Sequence, residues 1–101
     1  MSEWPSELAV CTGFEWDVGN IGKNWERHQV SAAECEQVFF QRPVRIASDP
    51  RHSQTEPRFA ALGHTAGGRL LSIVFTIRGT LIRVISARPV SRRERRFYER
   101  A

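Results

Sequence analysis

Between Arg88 and Arg100 the 101-residue chain carries six arginines (88, 92, 93, 95, 96 and 100) against two glutamates, 94 and 99. Guanidinium groups at that density suit one kind of chemistry. Each is a flat fork of donors that meets a phosphate or a carboxylate at two points, where a lysine ammonium offers only a point charge. Arg92, Arg96 and Arg100 recur every fourth residue, the repeat of a helical ridge. No acid alternates with them, so they repel one another unless an anion lies close. The competing reading of such a ridge is a solvated face. For proton transfer the candidates are His28, His52, His64, Lys23, Glu56 and Tyr98. Only histidine titrates near neutrality without help from its surroundings. His28 sits where a helix would end, so it can also act as a C-terminal cap. Tyr98 reads as a packed ring whose hydroxyl reaches the rim. No Cys/His spacing suits zinc and no Gly-rich loop suits a nucleotide, so neither a metal nor a cofactor is expected.

The charge is unevenly placed. Residues 1–36 hold seven acids and two bases, a net of −5; residues 37–101 hold four acids and thirteen bases, a net of +9. Fourteen of the fifteen bases are arginine. GC-rich codon usage could set the Arg/Lys ratio but does not explain the clustering. A back half this basic points to a polyanionic partner. No apolar run approaches 18 residues and the N-terminus has no basic leader, so neither a membrane span nor a secretory signal is expected. Cys11 and Cys35 are too few for a disulfide framework. They fit free thiols in a reducing cytoplasm.

These side chains need a scaffold, and one domain is all the length permits. Residues 1–12 read as an irregular lead-in and 13–101 as the domain. "GFEWD" is a short strand running into an Asp17 N-cap, and residues 18–28 form a first helix with Ile21 and Trp25 as its buried stripe. Ser31 and Glu34 are spaced as a capping box for a second helix through Phe40, with Cys35, Val38 and Phe39 inward and Pro43 as its stop. "PVRIAS" is strand-like, and residues 49–57 are turn-rich. Three strands joined by "TAGG" and by Arg78-Gly79 follow. Ser91 and Glu94 then cap a last helix. The order β-α-α-β-β-β-β-α predicts an α+β fold with an antiparallel sheet and helices packed on one face.

With a two-residue loop at Arg78-Gly79, Phe75 pairs with Ile82 and Ile73 with Val84. One sheet face then carries Leu71, Ile73, Phe75, Ile77, Ile82 and Val84, all apolar. The other carries Ser72, Val74, Thr76, Leu81, Arg83 and Ile85. A guanidinium in mid-sheet must be solvated or paired. Arg83 therefore faces a ligand, or it forms a salt bridge with Glu15 or Glu56. The side taken by Arg58 depends on whether the "TAGG" loop has an even or odd residue count.

"FEWD", Asn24, His28 and Val30, then "DPRH", Glu56 with Arg58-Phe59, "RG", and above all "RVISAR" followed by "SRRERRFYE", resemble the BrnT toxins of bacterial BrnT/BrnA toxin–antitoxin systems. The likeness runs from about Phe14 to Arg100. Gln29 stands where the family's His-Gly-Val motif has glycine, and Asn20 where a lysine is usual. The resemblance implies a RelE-like fold and metal-independent RNA cleavage that inhibits translation and growth. It also implies neutralisation by a BrnA-like antitoxin with a ribbon-helix-helix domain, which brings the pair to operator DNA. Such cleavage uses the RNA's own 2′-hydroxyl as nucleophile, and needs a base, an acid and cations. In this reading Arg83 and Arg58 hold the scissile phosphate, with His28 and Glu56 as acid–base candidates. Arg88, Arg92 and Arg96 grip flanking phosphates, assisted by Lys23 and Tyr98. The alternative is a non-catalytic module whose basic surface docks an antitoxin or a nucleic acid.

Overall fold

Elements begin where a side chain can satisfy the open backbone of a helix end. The computed structural model describes residues 6–49 and 56–100. In it Asp17 caps α1 (Val18–His28), its carboxylate accepting from the Asn20 N–H at 3.2 Å. Ser31 and Glu34 form the expected capping box of α2 (Ala32–Val38). Ser91 and Glu94 repeat it at α3 (Arg92–Arg100). The strands are β1 (Gly13–Glu15), β2 (Arg45–Ser48), β3 (Arg58–His64), β4 (Leu70–Arg78) and β5 (Leu81–Pro89). Residues 6–10, expected to be irregular, form a 3-10 helix that buries Leu8 in the core. His52 and Trp4 lie outside the described residues.

The α+β order is the expected one, and the strands lie β1-β5-β4-β3-β2. The sheet is mixed rather than wholly antiparallel. Hairpin-like connections make β2 to β5 antiparallel, but β1 runs parallel to β5 because both helices and three strands intervene before they meet. The β4–β5 turn is Gly79-Thr80, one residue later than expected, with Gly79 at φ 61°. That left-handed position is cheap only for glycine. Phe75 therefore faces Val84 and Ile77 faces Ile82, a shift of two that keeps each side chain on its predicted face. A bulge then leaves Ile85 without an opposite number. Beyond it the alternation reverses: Ala87 turns into the core, and Ser86 and Arg88 join the second face.

The first face, with Phe59, Ala61, Leu71, Ile73, Phe75 and Val84, is covered by Cys35, Val38 and Phe39. A Cβ at Gly63 would lie 2.8 Å from Val38 Cγ1, so glycine is what lets α2 approach β3. The helix α3 departs from the one-face expectation. Its two anchors, Tyr98 on His64 and Glu94 on Arg88, are both to residues of the second face. It buries no residue, and Phe97, expected to pack on the sheet, is 60% exposed. With only two aromatic side chains, α3 has little to bury, and polar contacts hold it.

The expected stripe on α1 is also corrected, since Trp25 is 55% exposed. The reason lies in β5. After Arg83 its outer edge has no strand neighbour, and buried backbone groups need partners. The helix supplies them: Asn20 Nδ2 donates to Val84 O at 3.3 Å, and Asn24 Oδ1 accepts from the Ala87 N–H at 3.1 Å. The helix docks by a polar side because it docks on backbone.

A basic groove as candidate nucleic-acid interface

Where α1 lies against the end of β5, the two elements enclose a groove of about 130 Å³. Its lining is Lys23, Asn24, Arg27 and His28 from the helix and Ile85, Ser86, Ala87 and Arg88 from the strand. Three expected site residues, Lys23, His28 and Arg88, thus come together. Sequence reasoning missed Arg27, Asn24 and Ser86. Ser86 and Arg88 are two apart on a strand and so share a face, a signal that was present; the bulge at Ile85, which moves both of them to this face, left no mark in the sequence.

The helix end is held firmly. Arg69 donates to the carbonyls of His28 and Gln29, both at 2.8 Å, and pairs with Glu34 at 3.3 Å. Gln29 occupies the left-handed cap position at φ 52° and ψ 42°. That is the conformation for which glycine is the usual residue, and it explains why Gly is common in the motif at this place. Here the Gln29 side chain donates to the carbonyls of Trp25 and Glu26.

Arg88 borders the groove and is bound at two points by Glu94, both contacts 2.8 Å. Glu94 also accepts the Ser91 N–H, so one carboxylate caps α3 and ties it to β5. The hydrogen bond from Arg88 is the main reason its carboxyl is lowered to about 2. The same contact raises the Arg88 guanidinium. Arg92 and Arg96 are exposed on α3, as expected.

Other expected residues go elsewhere. Arg58 does share the second face with Arg83, in the row Arg58, Thr76, Arg83, Glu15. That row lies roughly 15 Å along the strand from Arg88, at about 3.3 Å per residue. Arg83 does not present a guanidinium to a ligand: it donates to Glu15 at 2.8 Å and to Asp17 at 3.1 Å, and its side chain is 16% exposed. The salt-bridge reading is the correct one, because a mid-sheet cation is costly without acids and β1 brings two beside it. Arg58 is itself engaged in an interaction. Glu56 is paired with Arg78 at 3.2 Å, and that hydrogen bond holds its carboxyl below the usual range, away from the groove residues. Tyr98 is anchored in the fold through its hydroxyl and does not line the groove. Its hydroxyl donates to Pro43 O, so His64 Nδ1, 3.0 Å away, must be the donor to it. Burial pushes the Tyr98 hydroxyl up. His64 is thereby fixed as structural too.

No cluster of three or more His, Cys, Asp or Glu side chains gathers among the described residues. Asn24 Nδ2, buried at the groove, has no hydrogen-bond partner among the described residues. An unmade bond of this kind costs about 1–3 kcal/mol.

A small α+β domain with a cation-lined groove at its sheet edge belongs to the class of proteins that handle anionic chains. Comparison makes this specific. Residues 16–94 match the family model described as the ribonuclease toxin BrnT of type II toxin–antitoxin systems, and the chain belongs to that family. It is a ribonuclease toxin, with RNA as substrate and an antitoxin as partner. The structure is similar to the crystal structure of the Brucella abortus ribonuclease toxin BrnT. The TM-score is 0.57 at 22% identity, covering 79% of this chain and 97% of that one. No curated protein matches the chain. Among the described residues no helix is long and apolar enough to cross a membrane.

Proposed function

We propose that RNA is cleaved in the groove between α1 and β5, by attack of the ribose 2′-hydroxyl on the adjacent phosphate and without a metal. The observation that carries this is the convergence of Lys23, Arg27, His28, Ser86 and Arg88 on one hollow, from two segments far apart in sequence. His28 accepts the 2′ proton. Its place at the end of a helix braced by Arg69 gives it a fixed position. Lys23 and Arg27 balance the charge that grows on phosphorus, while Arg88 borders the groove in its ion pair with Glu94. The exposed Arg92 and Arg96 extend the cationic surface along α3 and hold neighbouring phosphates. A BrnA-like ribbon-helix-helix antitoxin neutralises the toxin in the cytoplasm and carries the pair to operator DNA.

The test uses purified toxin and a single-stranded RNA. His28→Ala and Lys23→Ala abolish cleavage while binding persists, and neither arrests growth when expressed without antitoxin. Wild-type cleavage by both variants would remove the groove from the chemistry.

A further inference from the structure

Among the described residues that line the groove, Asn24 has a half-used amide. It is 5% exposed. Its Oδ1 accepts the Ala87 N–H at 3.1 Å, and this fixes the orientation, because turning the amide over would set two donors against each other. Its Nδ2 is thereby aimed in one direction and has no partner among the described residues. Buried amide donors are almost always paired. One turn earlier on the same helix face, Asn20 follows that rule by donating to Val84 O. The groove around Asn24 is otherwise lined by Lys23, Arg27, His28, Ser86 and Arg88 among its polar residues, with no carboxylate in its lining. What such a site lacks is an acceptor rich in oxygen and negative charge.

We propose that Asn24 is a catalytic residue whose Nδ2 donates to a non-bridging oxygen of the scissile phosphate as charge builds there. This rests on the groove being the place of cleavage. In the step, the ribose 2′-oxygen bonds to phosphorus and its proton passes to His28. The bond from phosphorus to the 5′-oxygen breaks, leaving a 2′,3′-cyclic phosphate, and the departing 5′-oxygen takes a proton from solvent water. The non-bridging oxygens are most negative midway. Lys23 and Arg27 are exposed cations that line the same groove. Because Nδ2 is buried, side chains at the rim must move aside for the phosphate to reach it. Asn24 differs from them in being clamped to β5 beforehand. A donor already in place needs no rearrangement at the moment of reaction.

The test is single-turnover cleavage of a short single-stranded RNA carrying a normal scissile phosphate, or its Rp or Sp phosphorothioate. Sulfur is a poor acceptor at one chosen oxygen. N24S and N24D are expected to lose about 10²–10³ in kcat, with KM changed less than about threefold. Wild type should be slowed by one sulfur isomer, and that selectivity should vanish in both variants. A residue that merely positions the helix would leave the isomer ratio unchanged, and an unchanged ratio overturns the proposal. N24D retains the acceptor for Ala87, and the ratio is internal to each protein, so partial misfolding of N24S does not blunt the test. H28A and K23A separate the two ideas. If they cleave normally, the groove reading falls. If they are inactive while the Asn24 variants keep rate and ratio, only the role of Asn24 falls.

Discussion

Two arginines of one strand have opposite fates. Arg83 and Arg88 lie on the same face of β5, yet the first is 16% exposed and the second 45%. Around Arg83 the cations are matched: Glu15 and Asp17 bind it, and Glu56 binds Arg78. Around Arg88 there is one acid, Glu94, against Lys23, Arg27 and His28 in the same groove. The acidic front half of the chain thus cancels one end of the strand and leaves the other cationic. A guanidinium is informative about binding only once its acids have been located, because an ion pair already satisfies the donors that a phosphate would use.

The strongest way to break this contrast is to remove chemistry from each end. His28→Ala should lower kcat/KM for RNA by about 10²–10⁴. Glu56→Gln, at the neutralised end, should leave it within about twofold. A large loss with E56Q, measured on protein of unchanged circular dichroism, would reverse the assignment. Arg83→Ala should act on stability instead. It leaves Glu15 and Asp17 side by side without their cation, at a cost of roughly 1 kcal/mol, since those acids are partly in water. Urea unfolding measures that cost, and cleavage per folded molecule should not change. On α3, Arg92→Ala and Arg96→Ala should each reduce the log–log salt slope of RNA binding by about 0.7, the value for single strands. An unchanged slope would make the ridge a solvated surface.

Acid should separate the two ends as well. Glu94 titrates at about 2 when folded, against an ordinary 4.5. A depressed folded value means that its contribution is complete above 4.5 and is lost as the pH falls from there toward 2. Glu94→Gln should flatten stability over that window, followed by the helical signal of α3. The smallest effect is expected at Gln29. Gln29→Gly relieves a left-handed side chain but frees the unfolded backbone, for a net gain of about 0.5–1 kcal/mol with cleavage unaltered.

Local rules carried much of the fold. Both capping boxes and the Asp17 cap are short-range and follow from residue type alone. The faces of β4, and of β5 as far as Val84, survived a misplaced turn because the error moved the pairing by an even number. What the chain did not disclose was non-local. Trp25 reads as core by spacing, yet α1 buries Asn24 and turns the half-buried Asn20 inward, because the structure it meets is a bare strand edge rather than an apolar surface. The same blindness hid the groove. Lys23, His28 and Arg88 are each visible as candidates, but their meeting depends on α1 lying along β5. Arg83 was legible as a choice between ligand and salt bridge, and β1 decided it by delivering Glu15 to the same row.

The sealing of β5 by asparagines has a consequence for assembly. A sheet grows by adding a strand wherever its rim is bare, and that rim is where proteins pair or aggregate. Here helical amides occupy the rungs at Val84 and Ala87. Along the described part of β5 beyond Arg83 the ladder is therefore closed to extension, and the groove between α1 and β5 is kept from being zipped shut by another chain.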